Sequence, residues 1–206
     1  RLEDAAVVSP GVDTDAIALG PGGEGALRIA YNHRWEHDKD PRAFLLACAE
    51  AVRRGSSREL VLLGERYADS PAGLESLLAE LAPQIVHEGF AADRASYATL
   101  LGSCDVVAST ARHEFFGMAV AEGLAAGCTP LVPDRLSYPE VLGEEFSAHL
   151  YSEGQLAGRI AQLAQDPLAL RAVGHRARMR ARGEYWGADT TRDRLDDLVH
   201  ALQSRE

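Results

Sequence analysis

Val106-Val107-Ala108-Ser109-Thr110-Ala111-Arg112-His113-Glu114-Phe115-Phe116-Gly117-Met118-Ala119-Val120-Ala121-Glu122-Gly123-Leu124-Ala125-Ala126-Gly127 runs from a short apolar segment, through a polar loop, into an apolar helical pattern. Val106–Ala108 has no polar interruption, as a strand buried on both faces requires. The helical pattern covers about 116–127 and stops at Gly127, a residue suited to the position after a helix. A buried strand followed by a helix is half of a parallel crossover unit.

The same rhythm recurs on both sides of this stretch. Apolar runs lie at Leu27–Tyr31, Leu60–Leu63, Ile85–His87 and Pro130–Val132, with helical patterns at about 40–54, 72–82 and 93–102. Asp40-Pro41 supplies an N-cap followed by proline at the first helical position, and Gly55 and Gly102 stand where helices should stop. Alternating strands and helices predict an α/β domain with a Rossmann-like, doubly wound parallel sheet and helices on both faces. Beyond Val132 come a loop at Pro133–Tyr138, a short helix and a last short strand near His149–Tyr151. Extra C-terminal helices follow at about 153–165, 168–183 and 190–203. Residues 1–25, with Val7-Val8-Ser9-Pro10-Gly11-Val12-Asp13 and the loop Gly20-Pro21-Gly22-Gly23, read as a linker docking onto the domain. The expected division is a linker over 1–25, a ligand-binding domain over 26–187 and a terminal helix over 188–206.

With 206 residues, 46% of them hydrophobic and 25% charged, the chain can bury one good core. No run approaches the roughly 18 apolar residues of a membrane span. Arg1-Leu2-Glu3-Asp4 lacks the basic start and apolar run of a signal peptide and reads as a mid-chain cut. Cys48, Cys104 and Cys128 are widely spaced among apolar neighbours, which predicts buried free thiols and a cytoplasmic protein. A net charge of −10 repels nucleic-acid backbones but leaves room for one local basic pocket.

Ligands of doubly wound sheets bind outside the carboxyl ends of the strands, so the loops after the strands are where chemistry is expected. The first is Asn32-His33-Arg34-Trp35-Glu36-His37-Asp38-Lys39-Asp40-Pro41. Arg34 and Lys39 there can clamp a diphosphate, or can be solvated cations paired with Glu36, Asp38 and Asp40. His33 and His37 beside two aspartates lack metal-ligand spacing, and solvated or hydrogen-bonding histidines are expected. In the stretch quoted first, Gly117 lets the backbone approach a ligand as the helix begins, and the helix N-terminus offers N–H groups to a phosphate. Glu114 and Glu122, with seven residues between them, can reach hydroxyl groups on opposite sides of those phosphates. The alternative makes Glu114 a capping acid and Glu122 a surface residue. Gly64-Glu65-Arg66 can border a ligand or be a turn, His87-Glu88-Gly89-Phe90 can read a nucleobase through backbone groups or be a plain turn, and Asp134–Glu140, after the fifth strand, can close over the ligand. The sequence has no Ser/His/Asp order, no Walker loop, no Gly-x-Gly-x-x-Gly fingerprint between a strand and a helix, and no Asp-x-Asp metal site placed for a diphosphate.

These loops resemble the C-terminal domain of family 4 of the retaining GT-B glycosyltransferases. The resemblance rests on the Glu-x7-Glu pair, Glu114 and Glu122 around Phe115-Phe116-Gly117, and on Arg34 and Lys39 five apart after the first strand. It covers about residues 5–203. It implies a nucleotide-sugar donor, no metal, no cofactor, and a hexose transferred to a hydroxyl with retention. Glu114 would orient the sugar and Glu122 hold the ribose. Arg34, Lys39 and the Phe116–Met118 backbone would stabilise the departing phosphate, with Phe115, Gly64, His87 and Gly89 lining the donor site. Within that family, Asn32–Lys39, Ser109–Gly117 and Pro133–Glu140 look like the tRNA-queuosine α-mannosyltransferase group, which implies GDP-mannose as donor and queuosine in tRNA as acceptor. The family's N-terminal half, which holds the acceptor, is absent from this sequence, and residues 188–206 are expected to pack toward it. Rival readings are a sugar-nucleotide epimerase on the same fold and a non-catalytic nucleotide-sugar sensor. A pyridoxal-dependent phosphorylase is disfavoured, because Lys39 is the single lysine and lies in the phosphate loop.

Overall fold

The structure is a computed structural model in which residues 8, 10–17, 26–56, 58–65, 73–163, 166–182 and 188–203 are described. The Gly20–Gly23 loop, Arg66 and most of the 1–25 linker lie outside these residues. Six strands form the sheet: β1 (Arg28–Tyr31), β2 (Glu59–Leu62), β3 (Ile85–Glu88), β4 (Val106–Ala108), β5 (Thr129–Pro133) and β6 (Leu150–Tyr151). Their order is β3-β2-β1-β4-β5-β6, and every pair is parallel. Eight α-helices are described: α1 (Pro41–Arg53), α2 (Leu74–Leu81), α3 (Arg94–Gly102), α4 (Met118–Ala125), α5 (Tyr138–Leu142), α6 (Leu156–Leu163), α7 (Pro167–Arg182) and α8 (Ala188–Gln203). A 3₁₀ helix spans Glu144–His149. This is the doubly wound architecture expected, with its extra C-terminal helices.

The two-residue period of a strand explains why the apolar runs show no polar interruption. Ile29, Tyr31, Leu60, Leu62, Val106, Ala108 and Leu131 face one core, shared with Phe44, Leu45, Leu74 and Ile160 of α1, α2 and α6. The alternate residues Ala30, Val61, Val107 and Val132 face the other, with Leu101, Val120, Leu124 and Ala177 of α3, α4 and α7. Both faces of the sheet are therefore covered. β3 departs from the expected buried strand. Among the described residues it pairs with β2 alone, in a register that slips at Leu60/Val61, and its residues alternate between half-buried and exposed. Val86 is 50% exposed because an edge strand lacks a neighbour on one side.

Helix starts follow local chemistry. Asp40 caps α1 by accepting from the Ala43 amide at 3.2 Å, with Pro41 at the first position. Asp93 caps α3 through the Ser96 amide at 2.7 Å. α3 stops at Gly102, as expected, with that glycine as its last residue. Ahead of the sheet, Val12 and Ile17 are buried in the α4/α7 core. The buried Arg178 of α7 donates to the Ile17 carbonyl at 3.3 Å and the Ala125 carbonyl at 2.6 Å, tying residues 10–17 to the end of α4.

In this strand order the chain reverses direction between β1 and β4, so their exit loops diverge there and open a crevice. The two loops carrying the expected chemistry are the two at that point.

Candidate functional site

The loop leaving β1 is fixed to the loop leaving β4. Tyr31 Oη donates to the Lys39 carbonyl at 2.7 Å. Thr110 Oγ1 lies 2.9 Å from the Lys39 carbonyl and 2.8 Å from that of Asp40. The Arg112 amide donates to the Asp38 carbonyl at 2.7 Å, and the Arg112 guanidinium grips Asp40 Oδ2 at 2.7 and 2.8 Å. These bonds hold the Lys39 ammonium where its Nζ donates to the His113 carbonyl at 2.7 Å and to Glu114 Oε2 at 3.3 Å, with Asp38 Oδ2 at 3.2 Å. Glu114 Oε1 accepts from the Phe115 amide at 3.2 Å. Lys39 is 13% exposed, whereas Arg34 is 59% exposed and pairs with Glu36 at 3.0 Å. Both cations of this loop have acidic neighbours, and one of those of Lys39 is Glu114 of the second loop.

Arg34 instead borders a cleft of about 350 Å³ on the α3/α4 side, with Asn32, Leu63, Gly64, Glu65, Phe90, Arg94, Tyr97 and Glu122. Glu122 is held from both sides. Arg94 Nη1 lies 2.9 Å from Oε1, and Tyr97 Oη donates to Oε2 at 2.5 Å. Gly64 is there because nothing larger fits. An added Cβ would stand 1.8 Å from the His33 carbonyl oxygen and 2.6 Å from the Trp35 ring, so a side chain would force the exits of β1 and β2 apart.

Between the two carboxylates lies the start of α4. Gly117 is its N-cap at φ +101°, where an added Cβ would be strained and 3.2 Å from the Tyr138 ring. No side chain of the described residues caps this end, and the first bond within the helix runs from the Ala121 amide to the Gly117 carbonyl at 2.9 Å. The earlier amides of α4 thus have no carbonyl within the helix to bond and suit an anion. The loop after β5 props this turn. Ser137 Oγ donates to the Phe116 carbonyl at 3.0 Å, and Arg135 donates to the carbonyls of Thr110 and Ala111. Phe116 packs against the core, Met118 is partly exposed and Phe115 is fully exposed.

The structure brings Lys39 against Glu114, with Gly117 beside that glutamate, and sets Arg34, Gly64 and Glu122 along one cleft. It does not set His87 or Gly89 against the cleft. The His87 ring bonds the Gly89 carbonyl at 3.1 Å, and Phe90, 78% exposed, lines the cleft in their stead. His33 corrects the expectation of a solvated or hydrogen-bonding histidine. It is buried, its Nε2 has no partner among the described residues, its ring lies edge-on against Tyr31, and its pKa is lowered to about 3 by burial and then by the Lys39 charge. The three thiols are free and buried, as expected, and burial pushes each upward in pKa. Among the described residues no group of His, Cys, Asp and Glu could hold a metal, and no helix is long and apolar enough to cross a membrane. Sequence reading missed Arg94 and Tyr97. The signal was present in Arg94 and Tyr97, which lie three apart in the first turn of a helix capped by Asp93 and so share a face. It also missed a second cleft of about 530 Å³, between α1 and α6 beside Arg112 and Arg135.

The family described as glycosyl transferases group 1 matches residues 22–186. The tRNA-queuosine alpha-mannosyltransferase of Drosophila melanogaster is 34% identical over 122 residues, which are 59% of this chain and 32% of that protein. The chain thus spans about a third of the length of that relative. Among solved structures, the C-terminal domain of the glycosyl transferase group 1 family protein LpcC from Francisella tularensis superposes with a TM-score of 0.69 at 18% identity, covering 82% of this chain and 96% of that one. Anabaena HepE in complex with UDP-glucose gives a TM-score of 0.80 at 18% identity, covering 98% of this chain and 58% of that one. The family match over most of the chain shows that the chain belongs to the glycosyl transferases group 1 family, and the sheet order gives it a Rossmann-like fold.

Proposed function

We propose that the domain binds the nucleotide-sugar donor of a retaining glycosyltransferase, with residues 26–187 forming the donor unit. The observation that carries this reading is the placement of two carboxylates about the uncapped start of α4, Glu114 joined to Lys39 and Glu122 lining the cleft beside Arg34. A diphosphate at the helix start would meet its amides, Lys39 and Arg34. The sugar would extend toward Glu114 and the ribose toward Glu122. Charge develops on the departing phosphate during transfer, so fixed cations and amides there supply the largest rate contribution. Glu114 orients the sugar, and its bond to Lys39 couples that orientation to the phosphate. No step needs a metal ion.

The donor proposed is GDP-mannose and the acceptor queuosine in tRNA. Support comes from the loops Asn32–Lys39, Ser109–Gly117 and Pro133–Glu140 and from the identity with the Drosophila mannosyltransferase. The acceptor would be held by a preceding half of the protein. Leu195 and Val199, one turn apart and exposed on α8, suit packing of that helix toward it. Calorimetric titration with GDP, UDP, ADP and GDP-mannose, without metal, tests the donor. Preference for GDP and GDP-mannose is expected. Preference for UDP, the nucleotide of the Anabaena complex, would keep a donor domain and overturn the mannose assignment.

A further inference from the structure

We propose that Arg94 and Tyr97, on the first turn of α3, are positioning residues that fix the Glu122 carboxylate for a vicinal diol, with Asn32 setting the direction of the hydrogen bond. This rests on the reading of Glu122 as the ribose acceptor. The polarity of the chain of bonds follows from the atoms. Asn32 Nδ2 donates to the Ala119 carbonyl at 2.8 Å and to Tyr97 Oη at 3.0 Å. A carbonyl only accepts, so the amide cannot be turned over without setting two oxygens against each other. Tyr97 Oη already accepts from Asn32, and its single proton is therefore aimed at Glu122 Oε2, 2.5 Å away. Burial and then the Glu122 charge push the Tyr97 pKa upward, so the phenol keeps that proton throughout the physiological range.

Arg94 holds the second oxygen. Its guanidinium donates to Oε1 at 2.9 Å and lies 5.3 Å from the centre of the Tyr97 ring, so the two positioning groups brace each other. Burial opposes the Arg94 charge, but the hydrogen bond and charge of Glu122 raise its pKa overall, with smaller help from Tyr97 and Asp13. Each carboxylate oxygen offers two acceptor sites, and the network uses one on each. One remains on Oε1 and one on Oε2, a pair matched to the two adjacent hydroxyls of a ribose. A glutamate without these partners would sample several rotamers and lose that match.

The test compares affinities of this chain for the tighter binder of GDP and UDP and for its 2′,3′-dideoxy analogue, in the parent and in Glu122→Gln, Tyr97→Phe, Arg94→Ala and Arg94→Lys, with melting curves for each. The parent is expected to prefer the ribonucleotide by about 30-fold, the scale of one to two hydrogen bonds to a charged group. Glu122→Gln should erase the preference. Tyr97→Phe and Arg94→Ala should bring the ratio toward one by weakening the ribonucleotide alone, and Arg94→Lys should restore part of it. If Glu122→Gln erases the preference while Tyr97→Phe and Arg94→Ala keep it, the positioning role is overturned and the ribose role of Glu122 stands. Equal loss of both nucleotides in Tyr97→Phe and Arg94→Ala would mark them as merely structural, which also overturns the proposal. A parent that shows no preference, or binds neither nucleotide, overturns the ribose reading and the proposal with it.

Discussion

Lys39 and His33 lie in one loop, and their surroundings set opposite tasks. The Lys39 ammonium touches Glu114, Asp38 and the His113 carbonyl, so it is preorganised and does not have to be gathered when a ligand arrives. Lys39→Gln is expected to weaken nucleoside-diphosphate binding about tenfold or more, the scale of one charge-assisted bond, as read by calorimetry. Unchanged affinity would remove its phosphate role. His33 is a stability residue. Its folded pKa of about 3 lies far below the unfolded value near 6.5, because burial first, and the Lys39 charge second, oppose the proton. Below about pH 6.5 the unfolded chain binds more protons than the folded one, so stability falls as pH drops, by about 2 kcal/mol between pH 6.5 and 5 from this group. Urea unfolding at pH 5.0 and 7.5 should show that dependence reduced in His33→Gln, and an equal dependence in parent and variant would contradict it. From sequence, His33 looked like any loop histidine. Burial of its ring against Tyr31 is a tertiary property that no neighbour in the chain announces.

At the scale of elements, caps were legible and their exact geometry was not. Asp40-Pro41 predicts the start of α1, and Pro41 is its first residue. What the sequence did not disclose is that Asp40 adopts a left-handed backbone, φ +50°, while bonding both the Ala43 amide and Arg112. Asparagine tolerates that conformation and keeps the cap. Asp40→Asn should therefore cost less than about 1 kcal/mol and Asp40→Ala about 1–2 kcal/mol by chemical denaturation. Equal losses would assign the stabilisation to the ion pair with Arg112 and not to the cap. The helical pattern at about 116–127 is trimmed to Met118–Ala125, because Gly117 turns at positive φ against Tyr138 before the helix can begin. Tyr138 belongs to another loop, and its approach cannot be read from the stretch it shapes.

At the scale of the whole molecule, the net charge of −10 and the parallel sheet act on different partners. The acidic surface should keep this chain from binding tRNA by itself. Fluorescence anisotropy with labelled tRNA near 150 mM salt is expected to show no complex at micromolar protein, and salt-sensitive binding would contradict this. The sheet brings together loops separated by some eighty residues, setting Lys39 after β1 against Glu114 before α4 and Arg34 along the same cleft as Glu122. By itself the sequence determined the alternation of strands and helices, the two-faced burial of the central strands and the residue types at the crevice. These are local matters of period, capping and composition, written in consecutive residues. Tertiary structure alone decided that β3 lies at an edge, that Lys39 meets Glu114, and that Arg94, Tyr97 and Asn32 converge on Glu122. Those contacts join residues from different elements, whose distances are fixed only when both faces of the sheet pack, so no local pattern could announce them.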